Sequence, residues 1–172
     1  MIGSGVTLNQ DPGGDKFLYS DAGYDILADL IDKASGELFE DYMQQHLLTP
    51  LGMGSSTFLL DEVDPDQLVA AHVFDEAGQP VVWEKYPYDR KHAPSSDLFT
   101  NVEDLSRWAL AQLDGGELNG QRILQPQSQA QLWESLSPVQ DNPFFTDYGW
   151  GWWLGELDGT PSAAMTGAQP GI

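Results

Sequence analysis

The chain has 172 residues, 41% of them hydrophobic, and its six Trp, six Tyr and seven Phe supply the bulk for a buried core of single-domain size. Its 27 acidic residues against 7 basic ones leave a net charge of −20, which argues against nucleic acid and anionic lipid surfaces as partners, since binding to either depends on Lys and Arg neutralising phosphate. The absence of cysteine excludes disulfides, thiolate metal sites and a cysteine nucleophile, and no run is long and apolar enough to span a bilayer.

Residues 1–14 are polar and glycine-rich and read as a loop, with Asp11-Pro12-Gly13-Gly14 as a turn. The first five residues lack the basic start and apolar stretch of a signal peptide. Tyr24, Leu27, Ala28, Ile31 and Ala34 recur at helical spacing with Asp25, Asp29 and Asp32 opposite, predicting a helix from Tyr24 that ends at Gly36. Ser20 and Asp21, just before it, are both residue types that cap helices. Phe39, Tyr42, Met43, His46 and Leu47 predict a second helix, stopped by Pro50, with His46 packed on its apolar stripe. Asp61, Glu62, Asp64 and Asp66 lack the ordered pattern of a Ca site and read as a solvated loop.

His72-Val73-Phe74 and Pro80-Val81-Val82-Trp83 flank a turn-like segment and predict a hairpin. His72 and His92 have no metal-ligand spacing to each other or to acids, and read as isolated. Thr100-Asn101-Val102-Glu103 has the form of a capping box for a helix with Leu105, Trp108, Ala109 and Leu113 as its buried stripe, closed by Gly115-Gly116. Pro126 opens a further short helix carrying Ala130, Leu132, Trp133 and Leu136. The period then turns to alternation. Tyr148, Trp150, Trp152 and Leu154 fall opposite Gly149 and Gly151, predicting a strand, with Asp158-Gly159 as the reversal into a second strand from Thr160 to Thr166. Trp150, Trp152 and Trp153 read as the packing of a strand edge.

Three groups of residues stand in a telling order. Tyr19-Ser20-Asp21 leads through a helix to Leu48-Thr49-Pro50-Leu51-Gly52-Met53; then come Ala93 to Thr100 and Val102 to Trp108; last is Tyr148-Gly149-Trp150-Gly151-Trp152. Together they resemble the serine β-lactamase and penicillin-binding-protein-like family, in particular its branch of class C β-lactamases, D,D-peptidases and esterases. The resemblance runs from about Asp11 to the last residue. It implies an α+β fold, an antiparallel sheet flanked by helices with a helical subdomain and the active site in the groove between. Residues 1–172 would be a partial domain, with about 1–100 as helical subdomain and loops and about 101–172 as helices and the first C-terminal sheet strands. It also implies hydrolysis of an amide or ester through an acyl-enzyme, a small-molecule or peptide substrate, neither cofactor nor metal, and a periplasmic or secreted location with any signal upstream. Oligomeric state stays open.

The site residues are carried over by the same resemblance. Tyr19 would be the catalytic tyrosine that moves protons to and from the nucleophile; a phenol of ordinary pKa about 10 needs neighbouring positive charge for that work. Asp21 would stand where the family has Asn. An ionised carboxylate only accepts hydrogen bonds, so it would hold a catalytic lysine but repel a substrate carboxylate. Met165-Thr166-Gly167 would occupy the strand motif Lys-Thr-Gly or His-x-Gly, with the Ala168 amide as half of an oxyanion hole, although Met165 carries no charge. The family's nucleophile lies in Ser-x-x-Lys, and no serine here has a lysine three positions on. The expectation is therefore a fragment that is inactive alone. The alternatives are a non-catalytic member binding a peptide or ligand in the same groove, favoured by Asp21 and Met165, and a purely structural helical module.

Overall fold

A computed structural model describes residues 17–168, so the turn expected at Asp11 to Gly14 lies outside the described residues. Helices and antiparallel strands are mixed, as expected, and the chain divides into two compact units. One comprises residues 20–129 with 166–168, the other residues 17–19 with 130–165.

In the first unit, α1 (Asp21–Ser35) starts three residues earlier than the apolar spacing predicts, because Ser20 is the cap: its backbone is extended and its hydroxyl accepts from the Gly23 amide at 3.2 Å. Gly36 closes the helix, its N–H donating to Asp32 O at 2.9 Å. α2 (Phe39–Met43) runs without a break into a π-turn (Gln44–Leu48) and then α3 (Thr49–Leu51). Pro50 thus does not stop the helix. The widened turn, in which Thr49 N–H reaches back to Gln44 O, places the proline at the start of a fresh helical turn, where an absent N–H costs nothing. The helix ends instead at Gly52, whose φ of 71° is left-handed backbone that a side chain would strain. His46, on the π-turn, is exposed rather than packed, with its ring against Tyr42 at 4.4 Å and Nε2 3.5 Å from Glu37.

The core of this unit is aliphatic. Leu48, Leu51 and Met53 are at most 2% exposed and gather with Ala28, Phe39, Phe58 and Ala111, the two phenyl rings meeting edge to face at 5.0 Å. β1 (His72–Phe74) and β2 (Pro80–Val82) form the predicted hairpin. α4 (Ala93–Ser96) packs on α1, and α5 (Val102–Leu113) follows. Here the cap is Asn101, whose side chain accepts from Asp104 N at 2.9 Å, while the Thr100 hydroxyl turns to Ser56 Oγ at 2.8 Å. The face that points inward also differs from prediction: Asp104, Ala111 and Gln112 are buried, Leu105 and Leu113 exposed. One oxygen of Asp104 accepts from both Ser55 N and Ser56 Oγ at 2.9 Å, and this pair fixes the rotation of α5 against the apolar preference. β3 (Glu117–Leu118) and β4 (Gln121–Arg122) make a small hairpin about Asn119-Gly120, missed in the sequence although Asn-Gly is the usual pair for such a turn. α6 (Pro126–Leu132) ends earlier than expected, and its inward residue is Gln129, donating to Gln112 Oε1 at 2.8 Å.

The second unit is a four-stranded antiparallel sheet in the order β5 (Ser137–Pro138), β6 (Phe145–Tyr148), β7 (Trp153–Leu157), β8 (Thr160–Ala164). The single strand predicted through Tyr148 to Leu154 is in fact a reversal. Tyr148 ends one strand and pairs with Trp153, the first residue of the next. The alternating glycines are there for the turn: Gly149 donates to Trp152 O at 2.8 Å, a Cβ on it would come within 2.5 Å of Leu132 O, and Gly151 has a φ of 80°. The Asp158-Gly159 reversal is as predicted, with Leu157 opposite Thr160. β8 stops at Ala164, so Met165 and Thr166 lie past the strand in which they were expected.

Candidate active site

Tyr19 sits on an arm, residues 17–19, that belongs to no helix or strand and lies on the sheet unit. Phe17 and Tyr19 lie two positions apart, the spacing of residues on one side of an extended chain. Phe17 and Tyr19 accordingly both reach the aromatic cluster while Leu18 is half exposed. Phe17 contacts Tyr148 at 4.8 Å and Trp153 at 5.2 Å, and the ring of Tyr19 is stacked on Trp153 at 6.2 Å with 7° between the planes. Trp153 pairs across the sheet with Ala164, the neighbour of Met165. The fold thus brings the tyrosine arm and the β8 terminus to one indole.

Asp21 is the first residue of α1, exposed in its N-terminal turn, where a carboxylate meets the positive end of the helix dipole. Thr166, Gly167 and Ala168 are exposed and extend the chain beyond Met165, with open space around the Gly167 backbone. Tyr19 and Met165 fall in the sheet unit, Asp21 and residues 166–168 in the helical one.

Further polar groups converge within the helical unit. His92, read as isolated, bonds Asp25 of α1 through Nδ1 at 2.8 Å, and this hydrogen bond, followed by the carboxylate's charge, raises its pKa. Arg90 donates through Nε to Glu40 at 2.6 Å, which lowers the carboxyl's pKa. The segment before α4 is thereby tied to α1 and α2. It borders a cavity of about 290 Å3 lined by Trp83, Tyr86, Tyr88, His92, Ser96 and Asp97 among others. Burial, and then the charge of Asp97, pushes the Tyr86 phenol up. Burial also raises Tyr88, whose hydroxyl donates to Phe58 O at 2.9 Å. No sequence spacing signals the Asp25–His92 pair, which joins positions 67 residues apart. Trp153, read as the packing of a strand edge, does open β7 and packs against Phe17, Phe145 and Tyr148; its contact with Tyr19 has no sequence signal. Among the described residues no cluster of His, Asp and Glu is disposed to hold a metal ion, and no helix is long and apolar enough to cross a membrane.

Mixed helices and antiparallel strands, with a tyrosine arm laid on the sheet, define a protein of β-lactamase and transpeptidase architecture. The family model for Beta-lactamase matches residues 6–171, and the chain belongs to that family. It is 29% identical over 159 residues to Penicillin-binding protein 4 of Amycolatopsis lactamdurans, covering 89% of this chain and 41% of that protein. Among solved structures it is similar to the octameric penicillin-binding protein homologue from Pyrococcus abyssi, with a TM-score of 0.70 and 26% identity over 82% of this chain and 30% of that one. D-amino acid amidase from Ochrobactrum anthropi SV3 shares the fold at a TM-score of 0.71 and 22% identity, over 90% of this chain and 45% of the amidase. The chain therefore spans less than half the length of each of these relatives.

Proposed function

We propose that these residues supply the tyrosine arm and the oxyanion-side strand end of a serine hydrolase that cleaves an amide or ester through an acyl-enzyme. The observation that carries the reading is the meeting of Tyr19 and the β8 terminus at Trp153. A Ser-x-x-Lys segment, absent from these residues, would provide the nucleophile. Its hydroxyl oxygen attacks the acyl carbon as its proton passes to the lysine and Tyr19; the carbonyl oxygen takes the electron pair and is held by backbone amides, Ala168 N–H among them. When the tetrahedral intermediate collapses, the proton goes on to the departing amine or alcohol, and water later releases the acid by the reverse path. Asp21 would accept from the lysine ammonium. Candidate substrates are a β-lactam, a D-Ala-D-Ala peptide or a small ester.

Met165 favours a second reading, in which a groove without its cation binds a peptide or ligand and does no chemistry. The two readings separate in a polypeptide extended to include a Ser-x-x-Lys segment. With Tyr19 as the proton carrier, Tyr19→Phe lowers the acylation rate by about a hundredfold or more while leaving the fold intact, measured by mass spectrometry with a β-lactam and an activated ester. Met165→Lys raises the rate by favouring the phenolate. Saturable binding without an acyl adduct in the parent establishes the non-catalytic reading instead. Adduct formation that is indifferent to Tyr19→Phe returns Tyr19 to a packing role.

A further inference from the structure

We propose that Asp25 and His92 form a hydrolytic centre within the helical unit: the His92 imidazole, held by the Asp25 carboxylate at the edge of the cavity beside α4, is a nucleophile toward neutral aryl esters. The inference goes beyond the acyl-serine reading and does not depend on it, since it uses residues of this chain alone. The geometry separates the two ring nitrogens. Nδ1 is bonded to Asp25 Oδ2 at 2.8 Å, so the neutral ring keeps its proton on Nδ1 and its lone pair on Nε2, which has no hydrogen-bond partner among the described residues. The backbone under the ring is fixed. His92 precedes α4 with its N–H donating to Asp89 O at 2.8 Å and its carbonyl accepting from Ser96 N–H at 3.0 Å, and Arg90 is tied to Glu40 of α2.

The carboxylate has the setting of an orienting group. The Asp25 side chain is only 15% exposed, and its Oδ1 is buried without a hydrogen bond among the described residues. Asparagine would make the same single bond to a ring N–H and bury no charge; the charge is of use where the ring turns positive, as it does when Nε2 bonds to an acyl carbon. The cavity sets what is attacked. Trp83, Tyr86 and Tyr88 wall it, Lys85 and His92 line it, and its volume of about 290 Å3 is small for a ligand pocket, suiting one aromatic ring and a short acyl group. Tyr86 and Tyr88 pack on Phe99 at 5.9 and 5.6 Å, and Trp83 N–H donates to Ala71 O at 2.8 Å, so the walls are preformed. A flat neutral ring stacks on such walls, whereas the net charge of −20 turns away anions. In the step itself the Nε2 lone pair bonds to the acyl carbon, and the bond to the aryl oxygen breaks with its electron pair leaving on the aryl oxide. Water then adds to the acyl carbon of the acyl-imidazolium and gives one proton to the aryl oxide, and the carboxylic acid departs with the imidazole restored.

The test uses the chain as it stands, which has no Ser-x-x-Lys to contribute. Hydrolysis of 4-nitrophenyl acetate should saturate with substrate, and His92→Gln should remove about nine-tenths or more of the rate above buffer while His46→Gln and His72→Gln leave it nearly whole. Trp83→Leu should raise KM several-fold with little change in kcat. The rate should rise with pH as the imidazole loses its proton, with a midpoint above the ordinary value of about 6.5. The groups that set this midpoint are Asp25 from α1, Asp89 and Lys91 on the same segment, and Lys85, Tyr86, Tyr88 and Asp97 around the cavity. Asp25→Asn should move it down and lower the plateau about tenfold or more, a shift that the loss of a purely structural bond does not give. The proposal is overturned by a rate linear in ester up to its solubility, which would mean collision with an exposed imidazole, or by an equal loss in His46→Gln. A His92→Gln variant as fast as the parent, or an unmoved midpoint in Asp25→Asn, overturns it as well. The His92 side chain is 63% exposed, so the glutamine variant keeps the fold, and far-UV circular dichroism checks this.

Discussion

The helical unit and the sheet unit are ordered by different means. The helical unit closes an aliphatic core around Leu48, Leu51 and Met53, caps α1 and α5 with Ser20 and Asn101, and ties its inward polar groups to one another, as Asp104 does with Ser55 and Ser56 and Gln129 with Gln112. The sheet unit has Tyr148 as the one buried hydrophobic residue among its described positions and relies on Phe17, Tyr19, Phe145 and Trp153 laid against each other at half exposure. A closed core excludes water; an open aromatic cluster leaves its rings partly in reach of it.

If that contrast is correct, the helical unit should respond steeply to lost volume. Leu48 is 1% exposed, and Leu48→Ala removes buried methyl groups and leaves a cavity, with an expected cost of about 2–5 kcal/mol in urea unfolding followed by far-UV circular dichroism. A loss below about 1 kcal/mol would mean that the site collapses and that the core is not closely packed. The polar tie should matter nearly as much. Asp104→Ala strips the acceptor from Ser55 N–H and Ser56 O–H and should cost about 2–4 kcal/mol, with Asp104→Asn recovering part of it, since the amide oxygen still accepts. Equal destabilisation by both substitutions would point to the negative charge itself, not the hydrogen bonds, as what holds α5.

Several local features were legible in the sequence, and those that were not share a physical reason. Local chemistry read true: Gly36 ends α1, His72 to Val82 is a hairpin, and Asp158-Gly159 turns β7 into β8. Where a long-range partner competes with local preference, the reading failed. Asp104 faces inward in place of Leu105 because Ser55 and Ser56, almost fifty positions earlier, donate to it. Pro50 is carried through the helix by a π-turn that no single residue announces. At Tyr148 to Leu154 alternation and reversal produce the same pattern, since glycines opposite aromatics serve a flat strand or a tight turn equally well, and only the closeness of Leu132 O to Gly149 decides. The candidate site divides in the same manner. The Tyr19-Ser20-Asp21 triplet is visible as a string of letters, whereas the platform under Tyr19 is set by strand register.

The smallest effect tests the polar ties of the helical unit through pH. His92 gains a hydrogen bond to Asp25 and the attraction of its charge, so its pKa in the folded chain is raised. Asp89 nearby adds to the rise and Lys91 opposes it. A histidine with a raised folded pKa contributes stability that is complete below its unfolded value of about 6.5 and disappears as pH climbs through the folded value. Stability should thus fall as pH rises above about 6.5. The imidazole side chain is 63% exposed and water screens the pair, so the change should be about 1–2 °C in Tm. The contribution of His92 is the part of the slope that His92→Gln removes. A slope identical in that variant would show that Asp25 holds the imidazole in the neutral form as firmly as in the charged one, and that the segment before α4 depends on Arg90 and Glu40 for its anchorage to the helices.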